Sequence, residues 1–215
     1  MSEQFLVTHV VFGELQPGLP RSSTTDQEVS VVGATMYGDS FTIAREHPEL
    51  ARVWRGNRTV DSLALKAIGF TDEEADKLLA SCAPDDKAPA AMAKPRLRRL
   101  MGKNESDVSG NLPGLVGRAF RDGLFVVTLG NVGVSALLES AKDPQLLRAD
   151  LSNASMGMGR AESARLLGVP DTALGHVRAR TLFPLLGVQT MQAAVTRGFL
   201  GGVLTPDDSD IRDRK

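Results

Sequence analysis

Two short helical patterns separated by a Gly-Val-Pro turn are the feature that most constrains how this chain can fold. They lie in residues 160–183, RAESARLLGVPDTALGHVRARTLF. A glycine lets a turn reach the left-handed conformation, and a small residue lets two helices approach closely. Gly168 and Ala164 occupy these two positions. The segment therefore predicts a tight helical hairpin, with apolar residues on its inner faces: Leu167, Val169, Leu174 and Val177.

In this register, residues 160–180 resemble the helix-turn-helix motif of bacterial transcriptional regulators, without pointing to one family of them. In that motif the second helix enters the major groove of DNA while the first helix braces it. Arginine and threonine suit contacts with base edges and with phosphates. The groove-facing residues that the resemblance implies are Asp171, Thr172, Ala173, His176 and Arg180. It also places Arg178 near a DNA phosphate, and Arg165 on the first helix could reach the DNA backbone.

Three residues depart from the usual pattern of this motif. Ser163 stands where an apolar residue is usual, Gly175 lies within the second helix, and Asp171 places a negative charge close to the expected DNA. Glycine within a helix costs about 1 kcal/mol relative to alanine. Asp171 would also suit a cap of the second helix, through the N–H groups of Ala173 or Leu174. A helical hairpin that only completes the core is therefore the alternative interpretation of this segment.

The charge of the chain is balanced as a whole but not along its length. It carries 25 Lys and Arg against 26 Asp and Glu, so its bulk charge of −1 does not favour polyanions. Residues 1–82 carry a net charge of −5, whereas residues 94–206 carry +6. The acidic region could dock on the basic one. Alternatively, the basic region could hold phosphate through a second cluster of cations: Lys94, Arg96, Arg98, Arg99 and Lys103.

The N-terminal region has the pattern of paired strands followed by helices. Residues 5–15 and 28–37 are rich in Val, Thr and Phe, and a Pro/Gly/Ser-rich span separates them. This arrangement predicts a β-hairpin. Short helices are expected over residues 60–68 and 72–81.

A capping box between Thr71 and Glu74 marks the start of the second of these helices, because each side chain can bond the other's backbone N–H. The overall expectation is an α+β fold that is mostly α, with an N-terminal β-hairpin and a helical C-terminal domain. The expected division is a small α+β domain over 1–82, a linker over 83–95, a helical domain over 96–204 and a disordered tail over 205–215.

Several kinds of site are disfavoured by composition. The single cysteine, Cys82, excludes a disulfide framework within the chain and any site built from several cysteines. The three histidines show no i, i+4 spacing to another metal ligand, so neither a metal nor a cofactor is expected. The N-terminus lacks a signal-peptide pattern, and the apolar run over 124–138 is shorter than the ~20 residues that span a bilayer. A cytoplasmic protein without a membrane span is therefore expected.

The glycine-rich apolar stretch over residues 114–138 predicts close packing of helices or strands, or an interface with a protein partner or a second copy. Two functional hypotheses follow. The first is a non-enzymatic DNA-binding or DNA-associated accessory protein that binds double-stranded DNA through residues 160–180. The alternative is a structural or adaptor subunit of a larger assembly, which uses the glycine-rich stretch as its interface. An enzyme whose site is assembled from distant residues stays open.

Overall fold

The computed structural model of the chain describes residues 30–32, 40–43, 57–75, 77, 111–130 and 133–206. This part is mostly helical, as the sequence predicts. Some sequence predictions lie outside the described residues, namely the first predicted strand over 5–15, the linker over 83–95 and most of the predicted tail.

The strands are β1 (Ser30–Val32), β2 (Ser40–Ile43) and β3 (Phe125–Leu129). The helices are α1 (Asn57–Ala67), α2 (Leu112–Arg121), α3 (Gly133–Glu139), α4 (Pro144–Ser155), α5 (Arg160–Leu167), α6 (Asp171–Val177), α7 (Phe183–Leu186) and α8 (Met191–Leu200). A π-helical turn, Arg178–Leu182, joins α6 to α7. Residues 72–75 are also helical.

The described strands form one antiparallel sheet in the order β1-β2-β3. β1 lies within the predicted strand over 28–37. The strand β3 was not predicted, because residues 96–204 were expected to be helical. Its sequence, FVVTL, is rich in the β-branched and aromatic residues that favour strands. It pairs with β2 from Phe125 opposite Ile43 to Leu129 opposite Ser40, with an irregularity beside Phe41.

Four phenylalanines form the aromatic centre of the core. The ring of Phe41 in β2 lies 4.7 Å from that of Phe125 and 5.4 Å from that of Phe120, which in turn stacks on Phe199 at 4.6 Å. Phe41 precedes the predicted linker and the other three follow it, so residues on both sides of residues 83–95 share one core. The division into two domains stays a prediction.

Two glycines bring α2 directly onto the backbone at the end of α4. A Cβ at Gly114 would lie 2.4 Å from the Cα of Gly157, and a Cβ at Gly117 would lie 2.2 Å from the carbonyl oxygen of Ser155. Asn111 fastens the same contact, since its side chain accepts from the N–H of Gly114 and donates to the carbonyl of Gly157. The close packing predicted for these glycines is therefore confirmed, and it occurs inside the protein.

The predicted capping box is also confirmed. The N–H of Thr71 donates to Oε2 of Glu74 at 2.8 Å, and the N–H of Glu74 donates to Oγ1 of Thr71 at 3.3 Å. The Thr71 hydroxyl also donates to Glu74 at 2.8 Å. These bonds start the helical segment that follows the loop after α1.

We expect Glu74→Gln to remove part of the acid sensitivity of folding. The bond from the Thr71 N–H is the main cause that lowers the pKa of Glu74 below its ordinary value of 4.5. A carboxylate whose pKa is lower in the folded state stabilises it fully above the unfolded pKa, and this contribution is lost as the pH falls through the folded pKa. Urea unfolding at pH 7 and pH 3 should therefore show a smaller loss of stability in the variant than in the wild type.

The neighbouring Glu73→Gln is the matched control, because Glu73 pairs with Lys77 and takes no part in the capping box. It should keep the acid sensitivity of the wild type. Equal losses between pH 7 and pH 3 in the wild type and in Glu74→Gln would contradict the prediction.

Candidate nucleic-acid interface

The hairpin expected from the sequence is formed by α5 and α6. Gly168 ends α5 in the left-handed conformation, with φ of 67°, and its N–H bonds to carbonyls of the last turn. The N–H of Val169 then donates to the carbonyl of Ala164 at 3.0 Å. Pro170 follows as the N-cap of α6, and its carbonyl accepts from Leu174 at 3.0 Å. Two helices are thus joined by a three-residue turn.

The first helix of the hairpin, α5, packs against α4. Ala164 and Leu174 are buried, while the other predicted inner residues, Leu167, Val169 and Val177, are half-buried. Ser163 is also buried, at the position where the motif usually has an apolar residue.

A buried carboxylate on α4 explains why a serine occupies this buried position. Asp150 is fully buried and accepts a hydrogen bond from the Ser163 hydroxyl at 2.8 Å. It also accepts two bonds from Arg178, from Nε at 2.8 Å and from Nη2 at 2.6 Å. Asn153 donates to the Ser163 hydroxyl at 3.1 Å, which ties a fourth side chain into the network. We call these four residues the Asp150 network.

Arg178 therefore lies elsewhere than the sequence suggested. It was expected beside a DNA phosphate, but only 12 % of its side chain is exposed and its guanidinium is bound in a two-point ion pair with Asp150. The reason lies in spacing. Leu174, Arg178, Leu182 and Leu186 recur at intervals of four residues and form the inward side of α6, the π-helical turn and α7.

The π-helical turn helps to keep this inward side continuous. In an α-helix, residues four apart drift around the axis by about 40° at each step, because one turn holds 3.6 residues. A π-helical turn holds more residues, so it reduces that drift. Leu174, Leu182 and Leu186 are each fully buried. The buried Asp150 supplies the partner that lets a charged side chain lie among them.

The opposite side of α6 and its extension faces solvent. Its exposed residues are Thr172, Ala173, His176, Ala179 and Arg180. Arg165 and Leu166 are exposed on α5, and Leu166 is the most exposed large apolar residue among those described, at 49 %. Within the described part of the chain, no hydrogen bond or ion pair engages the side chains of Arg165, Thr172, His176 or Arg180. The structure thus places these four predicted site residues on the outside of one hairpin.

An ion pair links the first turns of α5 and α6. Arg160 donates from Nε and from Nη2 to the two carboxylate oxygens of Asp171, each at 2.7 Å. This bonding is the main cause that lowers the pKa of Asp171 and raises the pKa of Arg160. Asp171 is not the cap of α6, because Pro170 occupies that position and Asp171 is the first helical residue.

Other candidate residues can be placed only in part. Arg96, Arg98 and Arg99 of the second basic cluster lie outside the described residues, as does Cys82. Among the residues that are described, no group of three or more His, Cys, Asp or Glu side chains could hold a metal ion. The helices described include none with the length and apolar character that crossing a membrane requires.

Comparison with known proteins gives no relative for this chain. No protein-family model matches it, and neither a curated protein nor a solved structure does. Function must therefore be inferred from the residues and their geometry.

Proposed function

We propose that this protein binds double-stranded DNA, without catalysing a reaction on it, through the outward side of α6 and of the π-helical turn, together with Arg165 of α5. The observation that carries the proposal is that the two sides of α6 and the π-helical turn differ. The inward side is held by buried leucines and the Asp150 network, whereas Thr172, His176 and Arg180 on the outward side are exposed without an intramolecular partner in the described residues. A rigid helix with free polar side chains suits the major groove.

The roles of the individual residues follow from their chemistry. Arg180 and Thr172 can donate to base edges or phosphates, and His176 can contact either. Arg165 lies on the first helix, where contacts with the DNA backbone are expected. The net charge of +6 over residues 94–206 supports a polyanionic partner for this region, although the whole chain carries −1.

Titration of a fluorescently labelled duplex by anisotropy, at about 50 and 200 mM salt, tests the proposal. About four phosphate contacts would weaken binding roughly a hundredfold between the two salt concentrations. Arg165→Ala combined with Arg180→Ala should lower the salt slope by about 2 and weaken binding further, with the fold unchanged by circular dichroism. Lys77→Ala removes a cation from outside the hairpin, so it is the matched control and should bind like the wild type.

Binding by the wild type that does not depend on salt, or that survives the double substitution, would contradict the proposal. The absence of binding at both salt concentrations would favour the second candidate function, a structural or adaptor subunit. That candidate is supported by exposed apolar side chains in the 114–138 stretch. They are Val126 and Val127 of β3, at 45 % and 41 % exposure, and Leu137 of α3 at 37 %. Gly114 and Gly117 of the same stretch are used for packing within the protein.

A further inference from the structure

The guanidinium of Arg160 has hydrogen-bond donors that its ion pair with Asp171 does not use. A guanidinium carries five N–H donors in a planar fork, and the two bonds to Asp171 use Nε and one hydrogen of Nη2. Nη1 and the second hydrogen of Nη2 point away from that carboxylate. The Arg160 side chain is 52 % exposed, so a ligand can approach the guanidinium from solvent.

Gly175 provides the space in which this guanidinium lies. A Cβ at position 175 would be 3.2 Å from Nη1, 3.6 Å from Cζ and 3.7 Å from Cδ of Arg160. A separation of 3.2 Å is tighter than ordinary van der Waals contact, so with an alanine at position 175 the guanidinium would have to shift by a few tenths of an ångström. Glycine is unfavourable within a helix. The space that Gly175 leaves for the Arg160 side chain explains why a glycine stands in α6.

We infer that Arg160 binds a phosphate of the DNA backbone, from a position that Asp171 and Gly175 hold. The inference rests on the proposed function and adds a residue to it. Arginine binds phosphate through two parallel N–H donors, and a side chain already fixed loses less conformational freedom on binding. Asp171 is then a positioning residue, because it holds the guanidinium of Arg160. Its negative charge, which looked unsuited to a DNA-binding hairpin, orients the cation that makes the contact.

The substitution Asp171→Asn tests the inference, because charge and geometry predict opposite results. Removing a negative charge close to DNA should tighten binding if only bulk charge matters. We expect binding to weaken by about threefold, because a neutral amide cannot hold the guanidinium through two charge-assisted bonds. Glu162→Gln is the matched control. It removes the same charge from the same hairpin without touching the pair, so it should bind as tightly as the wild type or more tightly.

Three further variants separate a contact with phosphate from a role in folding. Arg160→Ala should weaken duplex binding by about tenfold and reduce the salt slope by about 1. Arg160→Lys keeps the charge but lacks the fork, so it should also weaken binding. Gly175→Ala should weaken binding while the thermal unfolding midpoint stays the same or rises, since alanine favours the helix. If Arg160 only stabilised the fold, a variant that weakens duplex binding would also lower the unfolding midpoint.

The outcomes also separate this inference from the proposed function. If the wild type binds the duplex with the expected salt dependence, but Asp171→Asn binds at least as tightly as Glu162→Gln, the role of Arg160 is overturned and the proposed function stands. An unchanged salt slope in Arg160→Ala has the same meaning. If the wild type shows no salt-sensitive binding, both are overturned.

Discussion

Replacing Asp150 by alanine should lower the free energy of unfolding by about 3 kcal/mol, the largest effect that we expect from one side chain near the hairpin. The substitution leaves the guanidinium of Arg178 without the carboxylate that accepts two of its bonds, in a site where only 12 % of that side chain is exposed. It also removes the acceptor of the buried Ser163 hydroxyl. Chemical unfolding at pH 7, followed by circular dichroism, measures the loss.

Asp143→Ala is the matched control, because it removes an aspartate that caps the same helix. Asp143 is an exposed N-cap that accepts from the N–H of Leu146 at 3.1 Å, so its loss should cost about 1 kcal/mol. The double variant with Asp150→Ala and Arg178→Ala should be less destabilised than the sum of the two single variants, because the second change removes the stranded partner. The prediction of a coupled buried pair is contradicted if the effects of Asp150→Ala and Arg178→Ala on the free energy of unfolding add. It is also contradicted if Asp150→Ala costs no more than Asp143→Ala.

The Asp150 network links stability to the proposed site. Arg178 lies between Leu174 and Leu182 on the inward side, so its bond to Asp150 acts with these buried leucines to set which residues face outward. Loss of the pair removes one of these constraints from the segment that carries Thr172, His176 and Arg180. We therefore expect the Asp150→Ala variant to bind DNA more weakly than its folded fraction explains.

Local features of this fold could be predicted from the sequence because each depends on residues close in the chain. The left-handed Gly168, the small Ala164 and the capping box of Thr71 and Glu74 each have a recognisable spacing. The strand β3 was missed because its apolar residues lie between glycine-punctuated helical patterns, where periodicity does not separate a short strand from a buried helix.

The ion pairs of the candidate site could not be predicted in the same way. Asp150 and Arg178 are 28 residues apart and on different helices, and either alone looks like a surface residue. Two signals were nevertheless present. Ser163 stood at an apolar position, and Arg178 fell in a four-residue repeat with Leu174 and Leu182. Both pointed to a buried polar network. From the sequence Asp171 is open to two interpretations, and the structure decides between them: Pro170 is the N-cap of α6, and Asp171 pairs with Arg160.

Gly117→Ala is expected to destabilise the protein by about 2 to 3 kcal/mol, because the added Cβ would lie 2.2 Å from the carbonyl oxygen of Ser155. A flexible side chain could move away, but the contact is with backbone at the end of α4. Either α2 or α4 must shift, and α4 carries Asp150. In this glycine-rich stretch the strongest constraint thus comes from packing within the protein. Thermal and chemical unfolding measure the effect.

Gly159→Ala is the matched control for this substitution. A Cβ at Gly159 would meet nothing within 4 Å, and φ there is −67°, which any residue adopts. Only the preference for glycine over alanine at an N-cap opposes the change, so the free energy of unfolding should fall by less than about 1 kcal/mol. If Gly117→Ala is as stable as Gly159→Ala, the contact between α2 and α4 has room to adjust. Packing within the protein would then not explain Gly114 and Gly117, and an external partner would, as the adaptor hypothesis requires.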